Sequence, residues 1–259
     1  MTFHLMTDVI LVSTALCIHM NFLVVSAKES VRINQQCILR KGNNMIKIEC
    51  TTVFGFEAAI RGMRNPLNSW NKSDSHQDYY NFGYGRPAEY LIGQNDLALM
   101  KNLSKAGDDH GKFLRMINVT VDLTAPLYWW KEYDTYKVGT VANSCSTMHK
   151  IHAKEFELSD FSWEHLDDFS IDVLELVINR LNYCRNKFLE TKDKQWWWQM
   201  IQLLPTSYEQ KRTVQLNYQV LKAMYHARKN HKLDCWHTFC NWCMTLPYFK
   251  EICGDIDVK

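Results

Sequence analysis

The chain has 259 residues, of which 46% are hydrophobic and 22% are charged, and its formal net charge is +2. This length and apolar content suffice for one large domain with a hydrophobic core. The near-neutral total excludes a polycation that binds nucleic acid through its overall charge, because such binding needs clustered Lys and Arg. The nine cysteines are odd in number and lack a framework spacing, which favours reduced thiols in a cytoplasmic protein.

The first 44 residues have a different pattern from the rest. Residues 9–27 form an apolar run, which fits a signal peptide or a membrane anchor. However, the residues before this run include Asp8 and no basic residue, and His19 and Asn21 interrupt the run itself. A strand-like pattern begins at Met45. We therefore expect residues 1–44 to be a leader outside the native protein, residues 45–259 to form a single domain, and no part to be held in a membrane.

From Met45 onward the hydrophobic periodicity predicts alternating strands and helices. Period-two alternation predicts strands at residues 46–50, 119–123 and 213–216. Period-3.6 patterns and capping residues predict helices at residues 54–63, 95–106, from 126 onward, and at 161–190, 191–204, 217–231 and 233–246. Within residues 161–190 the sequence offers two helix starts, at Ser162 and at Ser170. Residues 65–90 are rich in Asn, Ser, Gly and Tyr and have the composition of a long loop.

Three consecutive tryptophans, Trp196, Trp197 and Trp198, lie in one predicted helix. Side chains that follow one another in a helix point in different directions, so the three cannot share one face. At least one of them is expected to meet another subunit or a ligand.

Residues 119–150 pass from a strand through an aromatic helix into a loop rich in hydroxyl groups. Lys131, Lys137 and Lys150 flank these aromatic and hydroxyl side chains. Cations beside flat aromatic surfaces suit an anionic, partly planar ligand. A metal site is not expected: Cys240 and Cys243 lie within an apolar helical pattern, which indicates buried thiols.

A series of motifs runs through residues 107–150 and 204–236. In chain order they are Gly107 with His110, the strand to Leu123, Ala125-Pro126 before a helix, Asn143-Ser144-Cys145-Ser146, Leu204-Pro205, Asn217, Arg228 and Trp236. Asn217 lies twelve residues after Pro205, and Arg228 lies eleven residues after Asn217. This order and spacing resemble the flavin-dependent thymidylate synthases over most of residues 45–250. The resemblance implies an α+β fold with helices packed around a modest mixed sheet, and a homotetramer with active sites shared between subunits.

The Arg-His-Arg triplet typical of that family is absent. With the alignment anchored on Pro126, the positions of the family's Gln, triplet and Ser are held by Glu132, Thr135-Tyr136-Lys137 and Cys145. With the alignment anchored on Asn143, the family's Ser becomes Ser146. Lysine binds phosphate as a point charge, without the planar fork of arginine.

The resemblance also implies roles for individual residues. Those expected near the cofactor FAD are His110, Tyr136, Lys137, Asn143 and Asn217. Those expected near the nucleotide dUMP are Lys131, Glu132, Arg115 and Arg228, with Ser144 and Ser146 as the catalytic positions.

The implied activity is the reductive methylation of dUMP to dTMP, with methylenetetrahydrofolate and NADPH as co-substrates, in nucleotide biosynthesis. The missing triplet motivates an alternative, a nucleotide-binding protein of the same fold whose chemistry is altered or lost. A weaker alternative, which we do not adopt, is a single-stranded nucleic-acid binder that uses its Trp and Tyr surfaces.

Overall fold

The computed structural model describes residues 46–78 and 89–254. The strands are β1 (Lys47–Phe54), β2 (His76–Asp78), β3 (Glu89–Leu91), β4 (Asn118–Pro126), β5 (Val141–Ser144) and β6 (Glu209–Asn217). The α-helices are α1 (Phe56–Arg64), α2 (Gln94–Lys105), α3 (Leu127–Tyr133), α4 (Asp168–Thr191), α5 (Lys194–Leu203), α6 (Tyr218–Arg228), α7 (Asp234–Cys243) and α8 (Phe249–Cys253). The expected leader lies outside the described residues.

The described residues fall into two compact units. In the smaller unit the described residues are 74–78 and 89–94, and β2 pairs with β3 as an antiparallel ribbon. This ribbon replaces part of the expected long loop. The larger unit contains residues 46–73 and 95–254 and holds every site residue predicted above. The single-domain assignment for residues 45–259 stays a prediction.

A four-stranded sheet of order β1-β4-β6-β5 organises the larger unit. All of its pairings are antiparallel, whereas a mixed sheet was expected. The α+β fold class is confirmed. In the central strand β4, Val119, Val121, Leu123 and Ala125 are buried. The alternate residues form a polar face, on which Asp122 pairs with Lys211 at 3.0 Å and accepts a hydrogen bond from Thr213.

Strand β5 was expected to be part of a loop. Its residues pair with β6 from Val141 opposite Gln215 to Ser144 opposite Arg212. All four β5 side chains are exposed, so no apolar alternation marked this edge strand in the sequence.

Helix α4 begins later than predicted. Its cap is Asp167, whose carboxylate accepts a hydrogen bond from the backbone N–H of Ser170 at 2.9 Å. Phe161 forms a β-bridge with Tyr208 and the backbone N–H of Ser162 donates to Ser207, while residues 163–166 form a turn in which the N–H of Leu166 donates to Trp163. Helix α7 also ends earlier than expected, and the short helix α8 follows it.

Helices α4 and α5 pack against one another around a separate apolar cluster. Its buried members are Ile151, Phe156, Phe161, Leu174, Ile178, Leu181, Cys184 and Met200. Trp196 and Trp197 pack against this cluster, whereas Trp198 is 46% exposed. As predicted, the three tryptophans do not all lie on one face of the helix. None of the described helices is long and apolar enough to cross a membrane.

A buried ion pair ties α1 to α2. The Nε atom of Arg64 donates to Asp96 at 2.6 Å, and both side chains are almost fully buried. Arg64 also donates to the backbone carbonyls of Ser69 and Lys72. Removing one partner of such a pair leaves an uncompensated buried charge.

We expect Arg64→Leu to lower the free energy of unfolding by about 3–5 kcal/mol. The exposed Arg61 on the same helix supplies the matched control, since its contact with Glu57 is 4.0 Å long. Arg61→Leu should change stability by less than about 0.5 kcal/mol. Urea unfolding of both variants makes the comparison, and equal losses would contradict the assignment.

At the start of β6, Glu209 has a raised pKa. Burial is the main cause, with the nearby carboxylates of Glu164 and Asp160 adding to it, and the pKa rises from 4.5 to about 7. The folded state therefore binds this proton more tightly than the unfolded state does. Ionisation of Glu209 therefore destabilises the folded state. This loss of stability grows as the pH rises from the pKa of Glu209 in the unfolded state to its pKa in the folded state.

Glu209→Gln removes this cost. We expect it to raise the free energy of unfolding by about 1–2 kcal/mol near pH 8, and by less near pH 5, after allowance for partial solvent access. Urea unfolding at both pH values measures the difference. A gain that does not depend on pH would show that Glu209 is ionised throughout.

Candidate functional site

Helix α3 delivers Glu132 to the junction of α3, α6 and α7. Pro126 directly precedes the helix, where its fixed φ suits a helix start. Trp129, Trp130 and Tyr133 are buried against the core, with Trp129 lying 4.8 Å from Trp236 between ring centroids. Because these aromatic residues fix the rotation of α3, Glu132 is turned away from the core and stays partly exposed.

One oxygen of Glu132 accepts two hydrogen bonds and lies close to a third nitrogen. Its Oε2 atom lies 3.0 Å from Nη1 of Arg228 and 2.8 Å from Nε1 of Trp236. The Nε2 atom of His231 lies 3.3 Å from the same oxygen. Hydrogen bonds that involve an ionised group are roughly twice as strong as neutral ones, so this carboxylate fastens three separate segments.

Two aromatic rings hold the guanidinium of Arg228. Its Nε atom donates to the hydroxyl of Tyr136 at 3.0 Å. Its central carbon lies 4.9 Å from the Trp236 ring and 5.6 Å from the Tyr136 ring. These are distances at which a cation is attracted to an aromatic face. We refer to Glu132, Tyr136, Arg228, His231 and Trp236 as the Arg228 cluster.

The hydrogen bonds of His231 assign its tautomer. Its Nδ1 atom accepts from the backbone N–H of Leu233 at 3.2 Å. In the neutral ring the proton therefore sits on Nε2, the nitrogen that lies 3.3 Å from Glu132. His231 also borders an open cleft of about 580 Å³. The cleft is lined by Tyr225, Lys229, Asn230, His231, His237, Cys240, Asn241 and Met244.

A second arginine, Arg212, lies on β6, the strand that pairs with the edge strand β5. It pairs with Asp134 at 2.8 Å, and its guanidinium lies 4.1 Å from the Trp130 ring centroid. Its Nε atom donates to Gln210, whose amide donates to the backbone carbonyl of Cys145. The sequence reasoning missed Arg212, although its place between Gln210 and the buried Val214 marks the inward face of β6.

The structure brings three predicted residues together: Glu132, Tyr136 and Arg228. Trp236, which belongs to the motif series, joins them, and His231 was missed. The only sequence signal for His231 is its position between Arg228 and Trp236. Tyr136 follows the end of α3 rather than lying within a longer helix.

Asn217, His110 and Arg115 occupy other positions. Asn217 caps α6, as its sequence context predicted, by accepting a hydrogen bond from the backbone N–H of Val220 at 3.1 Å. His110 is exposed in a turn that its backbone closes onto Gly107. Arg115 is exposed on the 3₁₀ helix that follows this turn. In the described part of the chain, no hydrogen bond or ion pair joins these three residues to the Arg228 cluster, and their predicted roles stay predictions.

The remaining predicted residues are all exposed: Lys131, Lys137, Asn143, Ser144 and Ser146. The hydroxyl of Ser146 accepts hydrogen bonds from the backbone N–H groups of Met148 and His149, which gives it a turn-forming role. Asn143 and Ser144 alternate along β5, so Ser144 shares the sheet face of Arg212 and Asn143 points to the polar face. Among the described residues, no group of His, Cys, Asp and Glu has the geometry of a metal site.

Comparisons with known proteins give a structural likeness alone. No family model and no curated protein sequence matches the chain. A crystal structure of flavin-dependent thymidylate synthase ThyX from Helicobacter pylori, complexed with FAD and dUMP, matches with a TM-score of 0.58 and 15% identity over 81% of this chain and 98% of that chain. A second structure of the same enzyme with FAD and dUMP gives the same TM-score and identity, over 81% of this chain and 97% of that chain. The chain therefore has the fold of these enzymes.

If Glu132 fastens the cluster, Glu132→Ala should lower the free energy of unfolding by about 2–3 kcal/mol, because Arg228 and Trp236 lose their acceptor. Glu132→Gln keeps one acceptor oxygen and should lose less. Lys131→Ala, on the same helix, should change stability by less than about 0.5 kcal/mol. Urea unfolding followed by tryptophan fluorescence compares the three. A Glu132→Ala variant as stable as Lys131→Ala would rule out this role.

Proposed function

We propose that the chain is a divergent flavin-dependent thymidylate synthase, which binds FAD and dUMP and methylates dUMP to dTMP with methylenetetrahydrofolate and NADPH. The observation that supports the proposal is the fixed orientation of the Arg228 guanidinium. Arg228 lies on α6, and aromatic rings and Glu132 fix its guanidinium. A fixed guanidinium offers planar recognition of carbonyl and phosphate oxygens at little entropic cost.

Arg228 retains a donor for a ligand. Its Nε and Nη1 atoms bond Tyr136 and Glu132. Within the described residues its Nη2 atom makes no hydrogen bond, and the side chain stays partly exposed. We propose that Nη2 donates to dUMP while Glu132 and Trp236 keep the guanidinium oriented.

The cationic side chains present fit the phosphates of two anionic ligands, with Lys131 and Arg115 on the proposed dUMP side and Lys137 on the proposed FAD side. All three are exposed, and none of them forms an ion pair within the part of the chain that the structure describes. Their charges suit phosphate groups, although the two lysines lack the bidentate fork. Tyr136 offers a ring, and Asn143 on the exposed edge strand offers an amide.

FAD, when bound, would carry the hydride, so the chemistry needs no cysteine nucleophile. The chain's own residues would bind, orient and shield the reactants. Ser144 and Ser146 remain the proposed catalytic positions, and His110 and Asn217 belong to the proposed flavin side. A homotetramer in the cytoplasm completes the proposal.

A specific observation favours a second candidate. Glu132 neutralises Arg228 in the folded chain, and an arginine that is already paired attracts a phosphate less strongly than a free one does. This favours a nucleotide-binding protein of the same fold that has lost the flavin chemistry. Nucleotide binding without flavin binding would distinguish this candidate from the enzyme.

The proposal predicts that Arg228→Ala weakens dUMP binding at least about tenfold, because a charge-assisted hydrogen bond is lost. Arg61→Ala removes an exposed arginine elsewhere and should leave the affinity unchanged. Calorimetric titration of dUMP into the FAD-treated protein compares both variants with the wild type. Complementation of a thymidine auxotroph then tests turnover.

Each outcome decides between the candidates. Binding of dUMP with complementation supports the enzyme. Binding of dUMP without flavin uptake or growth supports the nucleotide-binding protein. Absence of dUMP binding contradicts the enzyme, and absence of binding to dUMP and to every other nucleotide tried contradicts both.

A further inference from the structure

Helix α4 has two apolar faces rather than one. Leu174, Ile178, Leu181 and Cys184 are buried against α5 and the loops around it. The opposite face carries Phe169, Val173, Leu176 and Tyr183, which are 76%, 47%, 70% and 46% exposed. A surface helix normally places polar residues on this side. This second face is therefore an apolar surface that the described residues leave largely exposed, and Tyr183, at its end, also packs against Trp196 with ring centroids 5.6 Å apart.

The spacing of the exposed residues is that of a helix-packing seam. Val173 follows Phe169 by four residues, Leu176 follows Val173 by three, and Tyr183 follows Leu176 by seven. Alternating steps of four and three give the heptad repeat that faces a second helix in a coiled coil. From Phe169 to Tyr183 the seam is about 21 Å long. We call these four residues the α4 seam.

Charge along α4 is divided between its two halves. Residues 168–177 contain Asp168, Asp172 and Glu175 and no basic residue. Residues 180–191 contain Arg180, Arg185 and Lys187 and one acidic residue, Glu190, which pairs with Lys187 at 2.9 Å. Two parallel copies of α4 would place like charges side by side. Two antiparallel copies would place each acidic half beside a basic half.

The positions of these residues along α4 place the two-fold axis of an antiparallel pair at Leu176. Phe169 and Tyr183 each lie seven residues from Leu176, and Asp172 and Arg180 each lie four residues from it. A two-fold axis at Leu176 therefore brings Phe169 level with Tyr183 of a second copy, and Asp172 level with Arg180 of that copy. Such a surface is self-complementary, as a two-fold interface requires.

Arg180 is already held in place for this contact. Its Nη2 atom donates to Gln199 at 2.8 Å, and its guanidinium lies 4.9 Å from the Tyr183 ring. An ordered guanidinium loses less side-chain entropy when it meets a carboxylate.

We propose that the α4 seam is the interface between two copies of this chain, packed antiparallel about a two-fold axis at Leu176. The partner on this surface is the α4 helix of a second copy. The heptad spacing fits packing against a helix, and the charges along α4 are complementary to those along an antiparallel α4. The interface lies on α4 and does not depend on the proposed nucleotide site.

Sedimentation velocity of the full chain tests the interface. The wild type should sediment as a dimer or a larger even assembly at micromolar concentration. Leu176→Glu places two carboxylates on the axis and should raise the dissociation constant at least about a hundredfold, halving the assembly. Leu67→Glu is the matched control, because Leu67 is 67% exposed in a distant 3₁₀ helix. A monomeric wild type, or unchanged assembly of Leu176→Glu, would overturn the proposal.

Charge reversal tests the antiparallel direction. Asp172→Arg alone should weaken association at least about tenfold, because it faces Arg180 of the second copy. Adding Arg180→Asp in the same chain restores opposite charges at that level and should recover the assembly. Circular dichroism confirms that each variant is folded. Failure of the double variant to recover association while folded would contradict the antiparallel arrangement.

Discussion

A single carboxylate oxygen, Oε2 of Glu132, connects the parts of the chain from which the candidate site is built. It accepts hydrogen bonds from Arg228 on α6 and from Trp236 on α7, and His231, in the turn between them, lies 3.3 Å away. Tyr136 then fixes the other edge of the Arg228 guanidinium. Without this carboxylate, the Arg228 guanidinium and the buried indole N–H of Trp236 would lack their acceptor, and the positions of these side chains would no longer be fixed.

The sheet and the aromatic core determine where that carboxylate sits. Strand β4 pairs along its whole length with β6, and α3 and α6 start where these two strands end. The rings of Trp129, Trp236 and Phe239 pack within 6 Å of one another, which locks the rotation of α3 against α7. The same packing explains the unusual aromatic content of the chain. The aromatic side chains serve the core at least as much as any ligand.

Periodicity and capping predicted much of this framework from the sequence. The alternation around Val119 gave the central strand, and the cap at Asn217 gave the start of α6. Edge strand β5 was missed, because exposed residues such as Ser144 carry no apolar alternation. The contacts of His231 and Arg212 were missed for a different reason: both depend on which segments meet in three dimensions. The family resemblance, anchored on Pro126, brought Glu132 and Arg228 into one hypothesis, but their direct pairing required the folded chain.

The structure presents two opposing features in one place. The fold is that of enzymes solved with FAD and dUMP, yet the arginine that remains is paired with a carboxylate of its own chain. Our central claim is that this arrangement still supports flavin binding. The visible absorption spectrum of the purified full-length protein, before and after incubation with FAD and removal of unbound cofactor, tests it most directly. We predict a yellow protein with a protein-bound flavin spectrum; a colourless protein that retains no added FAD would contradict the claim.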